Sequence, residues 1–164
     1  MNPIEGMLGE FDHEMAGTRK VLERTPADRL DYRPHPKSWT LGQLASHLAR
    51  LPRWVPITLN EPGFDYTPSP VEEALASPAD ILAEFDRSVA AARSALASCA
   101  PSVLGESWTF RVNGVERFTM PKAAVYRVFC MNHHLHHRGQ LTIYLRETDT
   151  PVPGLYGPSA DEVR

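Results

Sequence analysis

The sequence predicts an all-α fold: a four-helix bundle with a small β-hairpin inserted between the third and fourth helices. Three observations carry this. Apolar residues recur at spacings of three and four in four long stretches. Fifteen prolines fall mainly between those stretches and punctuate them. One Asn-Gly pair, Asn113-Gly114, sits between two alternating segments, the strongest short hairpin signal.

The first helix is predicted from about Pro3 to Arg24. Pro3 suits a first helical position, and Ile4, Met7, Leu8, Phe11, Met15, Thr18 and Leu22 form its stripe. Thr25-Pro26 ends it, because the residue before a proline avoids the helical region. The stretch from Ala27 to Lys37 reads as a loop. The second helix begins near Trp39-Thr40, with Ser38 or Thr40 as N-cap. Leu41, Leu44, Leu48, Leu51 and Val55 form its stripe, and Pro52 and Pro56 predict a kink or an early end. Asn60 to Ser77, with Pro62, Gly63, Pro68 and Pro70, reads as a long surface loop.

Ser77-Pro78 opens the third helix as cap and first residue. Ile81, Leu82, Phe85, Val89, Ala92 and Leu96 form its stripe, and Ala100-Pro101 stops it. The hairpin covers Ser107 to Thr119. The fourth helix opens at Met120-Pro121 and runs to about Arg146. The tail from Thr148 is extended or looped. Residues 1–164 are expected to form a single domain around one core.

The formal net charge of −3 gives no basic footprint for nucleic acid and no polybasic anchor for a membrane surface. No apolar run approaches the roughly 20 residues that span a bilayer. The acidic N-terminal stretch is unlike a secretory signal. Cys99 and Cys130 belong to no C-x-x-C pair and read as two reduced thiols of a cytoplasmic protein.

The chemistry concentrates in seven histidines, four of which fall within His133–His137. At about 100° per residue, His137 lies about 40° from His133, one turn up the same face. Tyr126, Gln140 and Tyr144 share that face, which should pack into the bundle. His134 and His136 fall on its flanks. Two imidazoles on a buried face need partners for their nitrogens, since burying them unpaired costs a few kcal/mol. A metal ion accepts one nitrogen from each. The spacing matches that of H-E-x-x-H zinc helices, without the glutamate. A third ligand must come from another element. His47, at the edge of the second helix's apolar stripe, is the best candidate. His13 on the first helix competes, and His35, between two prolines, is the weakest.

Three segments resemble a known family. They are Lys37-Ser-Trp-Thr-Leu-Gly-Gln-Leu-Ala-Ser-His47-Leu, His133-His-Leu-His-His-Arg-Gly-Gln140-Leu and Val152-Pro-Gly-Leu-Tyr-Gly-Pro-Ser-Ala-Asp-Glu162. In this order, spanning nearly the whole chain, they resemble the DinB/YfiT-like superfamily. The resemblance implies a four-helix bundle with a three-histidine metal site, its ligands mapping to His47, His133 and His137. It implies a homodimer through helix packing. Some relatives are metal-dependent thiol enzymes: a mycothiol-dependent maleylpyruvate isomerase, and transferases using bacillithiol or related low-molecular-weight thiols. The extra C-terminal domain of the isomerases is not expected here, which counts against that activity.

Three neutral imidazoles leave a divalent ion's charge uncompensated and a coordination position open. Such an ion activates a thiol as thiolate or a water as hydroxide. Zinc or nickel is favoured, with iron as a further candidate. The leading expectation is a thiol S-transferase acting on a small-molecule substrate in stress or detoxification. A non-enzymatic metal-binding stress protein and a metal-dependent hydrolase are the alternatives. Tyr126, Asn132 and Gln140 are candidate partners for the ligand imidazoles. Trp39, Trp54 and Trp108 read as packing residues, with Trp54 also suited to a pocket mouth. Arg138 is expected to form a salt bridge to an acid such as Asp161 or Glu162, or to hold an anionic substrate group. Gly139 is expected to allow another segment to approach closely.

Overall fold

Helix α1 spans Pro3–Leu22 and buries Ile4, Phe11, Met15, Thr18 and Leu22. The computed structural model describes residues 3–69 and 73–162, so Pro70 of the predicted long loop lies outside the described residues. Helix α2 covers Leu41–Arg50. Thr40 is its cap: Thr40 Oγ1 accepts from the Gln43 amide at 3.2 Å, and Gln43 Oε1 accepts from the Thr40 amide at 2.8 Å. This reciprocal pair satisfies two N–H groups that the helix cannot. Pro52 lacks the N–H an α-helix would need. The chain therefore passes through a 3-10 turn at Leu51–Arg53 before helix α3, Trp54–Asn60. Helix α4, Pro78–Ser98, starts where Ser77 accepts from the Asp80 amide at 3.1 Å.

The all-α expectation is overturned. A three-stranded mixed sheet stands against the bundle, in the order β1-β2-β3. Strands β2, Ser107–Val112, and β3, Val115–Pro121, form the predicted hairpin. Asn113 and Gly114 take φ of 51° and 76°, as a two-residue turn of matching twist requires. The unforeseen strand is β1, Gly63–Tyr66, inside the predicted surface loop. It pairs in parallel with β2, Gly63 opposite Thr109 and Tyr66 opposite Val112. A β-carbon on Gly63 would lie 2.3 Å from the Thr109 carbonyl oxygen, so glycine permits the approach. Asp65 then accepts from the Gly114 amide at 3.0 Å, fastening the strand to the hairpin turn. A four-residue strand among prolines and glycines has no local signal strong enough to predict it, because its pairing partner lies more than forty residues away.

The fourth helix also departs from expectation. β3 continues through Pro121, and helix α5 covers only Lys122–Val125. A π-helical segment follows over Tyr126–Asn132, and then helix α6, His133–Glu147. π-turns widen the helix and shift the facing of residues on either side. The stripe that reaches the core is His134, Arg138, Leu141 and Leu145. His134 is thus buried, not on a flank. His133 and His137 lie half-buried beside it, on the side facing α2.

Helices α1 and α2 each pack on α4 and on α6. Phe11, Leu44, Leu48, Phe85, Leu96, Met131, Leu141 and Leu145 fill the shared core. Each such side chain contributes about 1.5–3 kcal/mol when fully buried, so the bundle is expected to fold without a metal ion. Among the described residues no helix is long and apolar enough to cross a membrane.

Gly139 corrects a smaller expectation, since no atom lies within 4 Å of where its β-carbon would be. It leaves α6 with a flexible residue and no packing gain. Gly139→Ala is therefore expected to raise unfolding free energy by about 0.5–1 kcal/mol, read as a higher urea midpoint with an unchanged slope.

Candidate metal centre

The capping box starts α2 at Leu41, which sets His47 near its C-terminal end. The π-segment delivers His133 and His137 onto the facing side of α6. One nitrogen from each of His47, His133 and His137 lies within 4.8 Å of the others. The ring centroids are 4.7 Å apart for His133 and His137, 4.8 Å for His47 and His137, and 5.4 Å for His47 and His133. Of the other candidates, His13 lies against Tyr156, and His35 accepts from the Lys37 amide within its loop. Neither joins the cluster. His134 Nε2 lies 2.8 Å from Thr18 Oγ1, and that hydroxyl donates to the Glu14 carbonyl. The Thr18 oxygen is therefore the acceptor from His134 Nε2, while His134 Nδ1 is buried without a hydrogen-bond partner among the described residues.

The hydrogen bonds around the cluster determine where its lone pairs point. His137 Nδ1 donates to Gln140 Oε1 at 2.7 Å, which leaves the lone pair on Nε2. That Nε2 stands 2.9 Å from His133 Nε2. The Phe129 backbone favours the protonated His133 ring, and with Nε2 facing His137 it is Nδ1 that is left to meet it. With the His133 proton on Nδ1 two nitrogen lone pairs face one another, and with it on Nε2 that nitrogen donates to His137 Nε2. In the first arrangement a cation held by both nitrogens would turn that repulsion into ligation. Zinc–imidazole bonds of about 2.0–2.1 Å in tetrahedral geometry set ligand nitrogens about 3.3 Å apart, within small side-chain adjustments of this spacing. Burial and the neighbouring imidazoles push His133 down to about 4. Burial likewise takes His137 to about 4, opposed by the Gln140 bond. Both rings are neutral at pH 7 and hold no proton that must leave before ligation. The donor set therefore fits a divalent metal ion of the imidazole-preferring kind.

Of the expected supporting residues, Gln140 orients a ligand. Tyr126 joins the core, and Asn132 is exposed. The residue missed by sequence reasoning is Trp39. Its indole lies 4.8 Å from the His47 ring and stacks on His137 at 5.8 Å and 25°. It roofs the cluster, while its carbonyl accepts from Tyr144 at 3.1 Å. Its position just before the Thr40 cap was the available signal, because an apolar residue there often packs back on the helix it precedes.

Arg138 does not meet Asp161 or Glu162. Its Nη2 lies 2.8 Å from Glu14 Oε2, and Nη1 donates to the Glu14 carbonyl at 3.0 Å. Tyr156 Oη completes the network, 2.6 Å from Arg138 Nη2 and 2.8 Å from Glu14 Oε2. Asp161 instead binds Arg146 at 2.7 Å, and Glu162 accepts from the Gly154 amide at 2.8 Å. These contacts hold the C-terminal tail against the bundle.

A cavity of about 360 Å³ opens beside the cluster, bordered by His47 and His133 and walled by Leu51, Trp54, Phe110 and Phe129. Trp54 thus lines the pocket as well as packing against Trp108.

A helical bundle with an inserted sheet and a three-histidine cluster fit for a metal ion is the class these features define. A family model described as the DinB family matches residues 1–164, and the chain belongs to that family. It is similar to the uncharacterized protein YrdA of Bacillus subtilis (strain 168), at 26% identity, covering 97% of this chain and 91% of the relative. A crystal structure of a DinB-like protein from Bacillus cereus ATCC 10987 superposes with a TM-score of 0.71 at 25% identity, covering 93% of this chain and 97% of that one. The DinB-like protein YjoA of Bacillus subtilis shares the fold at 16% identity, with a TM-score of 0.68, covering 97% and 99%.

Proposed function

We propose that this DinB-family protein binds one divalent metal ion on His47, His133 and His137. We further propose that it acts as a metal-dependent thiol S-transferase in stress or detoxification. The observation that carries the reading is the cavity reaching two of the three histidines, because a purely structural ion would need no such approach.

Zinc and nickel suit the donor set best, and iron is compatible. When bound, the ion supplies a Lewis acid that favours the deprotonated form of a coordinated thiol. The residues of the chain do the rest. Gln140 fixes the His137 ring, the Phe129 backbone fixes His133, and Trp39 shields the cluster from one side. The apolar walls exclude water from an organic co-substrate. The chain's own cysteines are poor nucleophiles. Burial pushes Cys130 up to about 12 and raises Cys99 as well, and neither lines the cavity. The reacting sulfur therefore comes from a small thiol.

The test is a panel of low-molecular-weight thiols with 1-chloro-2,4-dinitrobenzene on zinc- or nickel-loaded protein. The expected result is release of chloride and formation of the S-conjugate, lost on chelation and in His47→Ala. Absence of metal-dependent turnover across the panel would favour the non-enzymatic reading. Ester or amide hydrolysis that chelation abolishes would favour a hydrolase.

A further inference from the structure

The cavity beside the histidines has walls of an unusual kind. One row of the sheet places Phe64, Phe110 and Phe118 side by side on strands β1, β2 and β3. That face turns toward the bundle, where Trp54 of α3 and Phe129 of the π-segment meet it. Phe110 lies 5.5 Å from Phe129 and 6.3 Å from Trp54, and Trp54 lies 6.0 Å from Phe129. Tyr66 stacks on Phe110 at 6.4 Å and 21°, at the outer rim. Phe129 meets His133 edge-on at 6.5 Å. Rings therefore run without interruption from the rim to the metal ligands.

An ordinary core would close over such rings. Here Tyr66 stays 40% exposed and the rings enclose about 360 Å³, within the range of small-molecule sites. Water gains little there, because a buried water needs two to four polar partners and the walls between rim and histidines are mostly carbon. Arg50 is the one charged residue among the described lining, and its guanidinium donates to the Glu73 carbonyl at 2.8 Å. Aromatic walls reward a flat apolar guest through stacked and edge-on contacts.

We infer that this cavity binds the ring-bearing part of an organic co-substrate, a flat and uncharged group of one or two aromatic rings whose donor or reacting atom points at His47 and His133. This rests on the metal-dependent reading only for the direction in which the ligand points. The specificity then belongs to the inserted sheet, and the chemistry belongs to the helices.

Two binding measurements decide it. On zinc-loaded wild-type protein, benzohydroxamic acid is expected to bind about tenfold or more tightly than acetohydroxamic acid. The chelating group is the same in both, and only the ring differs. On chelator-stripped protein, the uncharged fluorophore N-phenyl-1-naphthylamine is expected to saturate at one site per chain. Phe110→Ala should weaken it about tenfold, with circular dichroism unchanged. Equal affinities for the two hydroxamates would overturn the inference, as would fluorophore binding that does not saturate or that ignores Phe110. If Phe110→Ala fails to fold, the wild-type hydroxamate ratio decides alone. Should zinc fail to load while the fluorophore still binds at one Phe110-dependent site, the metal reading falls and the aromatic pocket stands.

Discussion

Replacing His137 with alanine is expected to abolish one-to-one metal binding while leaving helicity nearly intact. The residue joins the cluster from the half-buried side of α6, and its loss opens no cavity in the core of Phe11, Leu48 and Leu141. Affinity for zinc or nickel should fall by more than about 100-fold. Losing an orienting residue alone costs 10- to 100-fold, which is the smaller loss expected of Gln140→Leu. Elemental analysis after desalting reads the stoichiometry, and far-ultraviolet circular dichroism reads the fold. Global unfolding of His137→Ala would show that folding and ligation are coupled, as in a zinc finger. Unchanged stoichiometry would remove His137 from the ligand set.

The largest expected effect on stability lies elsewhere, in the pair Glu14 and Arg138. Their side chains are 9% and 4% exposed. Glu14→Leu strands the Arg138 guanidinium inside the bundle with, among the described residues, the backbone carbonyl at position 14 and Tyr156 as its remaining partners. Breaking a buried pair from one side costs about 3–5 kcal/mol, and urea unfolding would read this as a large fall in midpoint. Glu14→Leu combined with Arg138→Met is expected to recover part of the loss, because no uncompensated charge then remains. A single-variant loss below about 1 kcal/mol would mean that water reaches the pair.

The helices and the turn were legible because their signals are local. Thr40 with Gln43, Ser77 with Pro78, and Asn113 with Gly114 each act within four residues. The histidines of α6 were legible as a pair at one-turn spacing. Which of them reach the core was not, because the π-segment over Tyr126–Asn132 alters the facing that a straight helix would give. Strand β1 was illegible for another reason. Phe64 and Tyr66 make a weak alternation that gains meaning only beside β2, and Gly63 matters only where Thr109 approaches it. The salt bridge of Arg138 was legible but its acid was not, because Glu14 is brought in by the packing of α1 on α6 and not by nearness in sequence. His47 emerged from family resemblance more than from spacing, since nothing in its own helix distinguishes a ligand from an edge residue.

X-ray absorption at the metal edge, on protein given one equivalent of zinc and freed of excess, probes the cluster most directly. Three imidazole nitrogens at about 2.0–2.1 Å with one further light-atom ligand are expected, and the imidazole count should fall in His47→Ala. A bound ion ringed by oxygens alone, or protein that retains no ion, would mean that the convergence of His47, His133 and His137 serves packing and not ligation.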